Sequence, residues 1–79
     1  MPPTNDRIEQ TLIGIIAFNI QMFLFEQRRM LKNDGWFTVA QIADELYLPP
    51  YFVPFYSALK QLAGSARIER FDGQVRYSL

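Results

Sequence analysis

The chain has 79 residues, no cysteine and no histidine, and its eight Lys and Arg are matched by eight Asp and Glu. One small core fits a chain of this length, while disulfides, thiolate nucleophiles, Cys-ligated zinc and histidine general bases are excluded by composition. Zero net charge leaves no overall field to steer the chain toward nucleic acid, and a hydrophobic content of 49% with 15% aromatics is too apolar for a disordered tail.

The start, Met1-Pro2-Pro3-Thr4-Asn5-Asp6, is polar and turn-like, and carries no basic region ahead of an apolar one, so it does not read as a signal peptide. A cytoplasmic location is the default expectation. Asp6, with Glu9 three residues on, is expected to cap a helix over 6–33 that ends in Arg28, Arg29 and Lys32, cations suited to the negative end of the helix dipole. Asn33-Asp34-Gly35 then stops it. No charge occurs from Gln10 to Phe25, but Asn19 and Gln21 interrupt that run and it falls short of the ~20 residues a bilayer span needs. Membrane insertion is therefore not expected. Ile8, Leu12, Ile15, Ile16, Ile20, Phe23 and Leu24 form the expected inward face by helical spacing. Ile13, Phe18, Met22 and Phe25 lie off that face. A helix apolar nearly all round must be covered nearly all round, so these four are the candidate interface of a homodimer.

Trp36-Phe37 reads as a very short strand, with Trp36 as a lid on the core. Thr38-Val39-Ala40-Gln41 is a capping box opening a second helix whose Val39, Ile42, Ala43 and Leu46 face inward. That helix is expected to end near Tyr47, because Leu48 precedes Pro49 and is pushed out of the helical region. After the stiff Pro49-Pro50 turn, a third helix starts at Tyr51 or later, which keeps Pro54 in the first turn. Phe52, Phe55, Leu59 and Leu62 make its inner stripe, with Ala58 beside them, and Gly64 marks its end. Asp72-Gly73, between Ile68–Phe71 and Gln74–Tyr77, is a strong hairpin signal. It predicts Ile68 opposite Tyr77 against the core, and Glu69 opposite Arg76 as an exposed cross-strand ion pair.

Helix, short strand, helix, tight turn, helix and hairpin follow one another in this order. Residues 37–79 resemble the winged helix-turn-helix family of DNA-binding domains. The resemblance is carried by Phe37-Thr38-Val39-Ala40-Gln41-Ile42-Ala43-Asp44-Glu45-Leu46, by Ala58-Leu59-Lys60-Gln61-Leu62, and by Arg67-Ile68-Glu69-Arg70, Asp72-Gly73 and Tyr77. It implies a mainly α fold with a small β-hairpin (α+β): a long first helix over 6–33, a helix-turn-helix over 36–63 and a wing over 67–79, all in one domain. It implies that the third helix turns Phe52, Val53, Tyr56, Ser57 and Lys60 to the major groove. Two positions depart from the family pattern. Ala66 stands where a glycine is usual, and no charge occurs from Leu46 through Leu59, where donors to bases and phosphates are usual.

The candidate DNA-contacting residues are accordingly Tyr51, Val53, Tyr56, Ser57, Lys60, Arg67, Arg70 and Arg76, with duplex DNA and a second copy of the chain as expected partners. The alternative is a protein-interaction module docking through Tyr51 and Tyr56, since exposed tyrosines are enriched at protein interfaces. Asp44 and Glu45 have no cationic partner nearby and read as solubility residues. With no phosphate loop, metal-ligand spacing or nucleophile motif, neither an enzyme, a cofactor nor a small-molecule substrate is expected.

Overall fold

The computed structural model describes residues 4–30, 34–49 and 51–78. Three helices and a small antiparallel sheet follow in the order α1 (Thr4–Met30), β1 (Phe37–Thr38), α2 (Val39–Glu45), α3 (Val53–Gly64), β2 (Ile68–Phe71) and β3 (Gln74–Tyr77). The sheet order is β1-β3-β2, so the first strand pairs with the last. The architecture is α+β and mostly helical.

Local chemistry sets most boundaries. The Thr38 hydroxyl accepts from the Gln41 N–H at 3.1 Å, and the Gln41 side chain accepts from the Thr38 N–H at 2.8 Å, closing the capping box at the start of α2. At the other end Leu46 caps, Tyr47 takes φ 56°, and the Leu48 N–H reaches the Ala43 carbonyl at 2.9 Å. That is a Schellman ending, with tyrosine where glycine is usual. The same closure ends α3: Ala66 takes φ 58° and the Arg67 N–H donates to the Leu62 carbonyl at 2.9 Å. Phe52 is the N-cap of α3 and Pro54 sits in its first turn, where its missing N–H leaves no helical bond unmade. Asp72 (φ 51°) and Gly73 (φ 77°) form the left-handed two-residue turn. The register follows as expected, with Ile68 opposite Tyr77 and Glu69 opposite Arg76.

The core is wholly apolar. Phe55, Ile20, Leu24, Ile42, Leu59 and Val75 are its largest sealed side chains, so α1, α2, α3 and β3 all contribute. Phe25 stacks edge-on against Tyr77 at 5.1 Å, and Arg28 donates to the Tyr77 carbonyl at 2.8 Å, tying the end of α1 to β3. Gly35 lies against the Arg28 backbone, where an added Cβ would come within 3.1 Å of Cα.

Several expectations are corrected. The inward face of α1 is rotated from the one read by spacing: Ile13, Ile16, Ala17, Ile20 and Leu24 are buried, whereas Ile8 and Ile15 are exposed. Ile13 is thus a core residue, and Phe25 packs within its own chain. The reason is that apolar side chains occupy nearly every direction around this helix, so the pattern alone could not single out the face that α3 and β3 cover. The helix already includes Thr4 and Asn5, so Asp6 lies inside it and is not its cap. Of the expected terminus of this helix, residues 31–33 lie outside the described residues, as do Pro50 of the Pro49-Pro50 turn and Leu79. The first strand is Phe37–Thr38 and does not include Trp36. Phe37 packs against the core and stacks edge-on with Phe23 at 5.1 Å, while Trp36 is half-buried beneath Arg76, whose guanidinium lies 4.4 Å from its ring centroid.

Candidate nucleic-acid interface

Helix α3 has two opposed stripes. Phe55, Ala58, Leu59 and Leu62 are sealed in the core. Val53, Tyr56, Ser57 and Lys60, at i, i+3, i+4 and i+7, form the other stripe. Val53, Tyr56 and Lys60 are exposed and Ser57 is half-buried. Phe52 is half-buried and packs against the core, so it belongs to the inner side.

Just ahead of this helix stand two tyrosines with few neighbours. Tyr47 is 94% exposed and Tyr51 80% exposed. Tyr47 owes its exposure to the left-handed backbone that ends α2, which turns the side chain off the helix surface. With Val53 and Tyr56 they make an uncharged aromatic surface around the entry to α3.

The hairpin supplies cations. Arg67 and Arg70 are exposed, as is Lys60 on α3. Arg76 is held inside the fold: its Nε donates to the Glu69 carboxylate at 2.8 Å, its Nη1 donates to the Asp34 carbonyl at 3.4 Å, and it covers Trp36. Of the four cations singled out in this region, three therefore project to solvent and one is engaged by its own chain. Arg28, another cation near the sheet, is engaged by the Tyr77 carbonyl.

Phe71, which no motif in the sequence singles out, is 72% exposed beside the hairpin turn. The signal was available: Phe71 alternates with Ile68 and Arg70 and shares the outer side of the strand with Glu69. The sequence marks Tyr47 only as the expected end of the second helix, and no residue pattern foretells its left-handed backbone.

Among the described residues, no three Asp or Glu side chains converge to hold a metal ion. Asp44 and Glu45 are exposed on α2. The chemistry this surface offers is that of recognition: hydroxyl donors at Tyr47, Tyr51, Tyr56 and Ser57, three cations, and the methyl groups of Val53. Among known proteins, no family model, curated sequence or solved structure matches the chain.

Proposed function

We propose that this chain is a winged helix-turn-helix protein that binds duplex DNA as a small regulator. Helices α2 and α3 serve as the helix-turn-helix, α3 is the reading helix and the β2–β3 hairpin is the wing. The reading rests on one observation: α3 carries an outward stripe of Val53, Tyr56, Ser57 and Lys60 directly opposite its buried stripe. In this arrangement Lys60, Arg67 and Arg70 grip phosphates, tyrosine hydroxyls add phosphate contacts, and Val53 suits a thymine methyl.

Three gripping cations make a quantitative expectation. The logarithm of affinity for a random-sequence duplex should fall against the logarithm of salt with a slope of about −3, since each phosphate neutralised contributes about −0.9. Arg70→Ala should reduce that slope by about one and leave the fold intact. Fluorescence anisotropy across a salt series measures both. An absence of binding at low salt, or a slope indifferent to Arg70, overturns the reading.

A second reading is favoured by the 94% and 80% exposure of Tyr47 and Tyr51 in a stretch without charge. The same surface then docks a partner protein, since aromatic anchors with little charge dominate the centres of protein interfaces. The low-salt arm of the DNA titration separates the two.

A further inference from the structure

Helix α1 carries a second apolar face that its own chain leaves uncovered. Ile8 (62% exposed), Ile15 (54%), Phe18 (61%) and Met22 (42%) lie along it, while Ile13, Ile16, Ala17, Ile20 and Leu24 fill the core from the other side. At 100° per residue the two sets point in opposite directions. Thr11 completes the outer stripe, and its hydroxyl is satisfied within the helix by the Arg7 carbonyl at 3.0 Å. A shallow groove lined by Arg7, Ile8, Thr11, Leu12 and Ile15 runs along the N-terminal part.

We infer that this stripe is a self-association surface, occupied by α1 of a second copy of the chain. The spacing is the first reason. Positions 8, 15 and 22 are one heptad apart, and positions 11 and 18 stand three residues behind the first two, which is the a/d seam of paired helices. β-branched Ile8 and Ile15 at the a-type positions follow the two-stranded preference at a, while Thr11 and Phe18 stand at d where leucine is usual.

The size is the second reason. The four large side chains expose on the order of 450 Å² together, within the ~300–600 Å² of the largest apolar patch on an ordinary monomer, a patch that is often functional. Two copies meeting through it bury about 900 Å² from these side chains alone. The flanking Thr11, Leu12 and Asn19 carry the total toward the ~1,200 Å² at which specific interfaces begin.

The third reason is charge. Ile8, Thr11, Ile15, Phe18 and Met22 are all uncharged, with Arg7 at the N-terminal edge of the groove as the charged residue beside them, so the centre of the seam is complementary to itself, as a two-fold interface requires. Access is open as well. Residues 7–11 are all exposed, and the molecule measures 49 × 23 × 21 Å, its long axis exceeding the other two about twofold.

A bilayer is the competing occupant. The 16-residue uncharged run falls short of a span, but the helix that contains it, Arg7–Met30, is by length and composition long and apolar enough for one, with a mean hydropathy of 1.5, which corrects the expectation drawn from that run alone. However, Ile20 and Leu24 on the same helix are fully sealed against the rest of the chain, and crossing a membrane would take them out of that core. This inference does not depend on DNA binding.

Sedimentation equilibrium at micromolar concentration tests it, with circular dichroism as the check on folding. The wild type should sediment with the mass of two chains. Ile15→Glu combined with Phe18→Glu should sediment as one chain with unchanged helicity, its association weakened on the order of a hundredfold or more by desolvating two carboxylates from each copy. Met22→Lys, at the end of the stripe, should weaken the pair as well. A monomeric wild type overturns the inference, and so does a double variant that still pairs. A wild type that is monomeric in buffer but partitions onto phosphatidylcholine vesicles assigns the stripe to a bilayer and likewise overturns it.

Discussion

Tyr47 and Ala66 both occupy the left-handed backbone region that closes a helix, at φ 56° and φ 58°, without being glycine. A side chain there crowds the backbone and costs about 1 kcal/mol or more, and the closing hydrogen bonds do not require it. Both residues are exposed, so little packing is lost when their side chains are removed. Ala66→Gly should therefore stabilise the fold by about 0.5–1 kcal/mol, raising Tm by a few degrees in thermal melts followed by circular dichroism. A lowered Tm would show that Ala66 makes contacts that outweigh its backbone strain. Tyr47 differs in one respect. It holds the more strained conformation for its bulk and presents the most exposed aromatic ring of the described residues, a combination associated with functional surfaces.

At the scale of elements, helices α2 and α3 and the hairpin were legible in the sequence, and α1 was legible only in part. The capping box of α2 and the Asp72-Gly73 turn are decided by hydrogen bonds between residues a few positions apart, so short patterns identify them. The inner stripe of α3 was readable because polar and apolar residues alternate at helical spacing. α1 lacks that contrast. Its spacing placed Ile15 inward and Ile13 outward, and packing reversed both. Ile13→Ala should then behave as a core truncation does, as should Ile20→Ala, each lowering stability by about 2–5 kcal/mol in urea denaturation of dilute protein. A substitution at Ile13 that left unfolding unchanged would return that residue to the surface.

For the molecule as a whole, α1 lies between two apolar demands, the core on one side and an open seam on the other. If a second copy covers the seam, unfolding also dissociates the pair, and Tm must rise with chain concentration. The expected result is an upward drift of several degrees between micromolar and millimolar protein, absent in the Ile15→Glu, Phe18→Glu variant. A wild-type Tm independent of concentration counts against the pairing. Pairing also bears on the proposed DNA reading, because two linked copies that both reach one duplex double its cations, so the slope of about −3 expected of one chain, and the share of it due to Arg70, would double as well.

The sequence by itself determined the α+β class of fold, the capping box of α2, the hairpin register and the absence of cysteine and histidine chemistry, since these depend on composition or on bonds between near neighbours. It also determined that α1 is apolar nearly all round. Only the tertiary structure decided which face of α1 meets the core, that Arg76, beyond its pair with Glu69, is also spent on Asp34 and Trp36, and that Tyr47 and Phe71 stand in solvent. The physical reason is the same in each case. Those outcomes depend on which of several equally apolar or equally charged groups a distant segment reaches, and spacing along the chain carries no record of that choice.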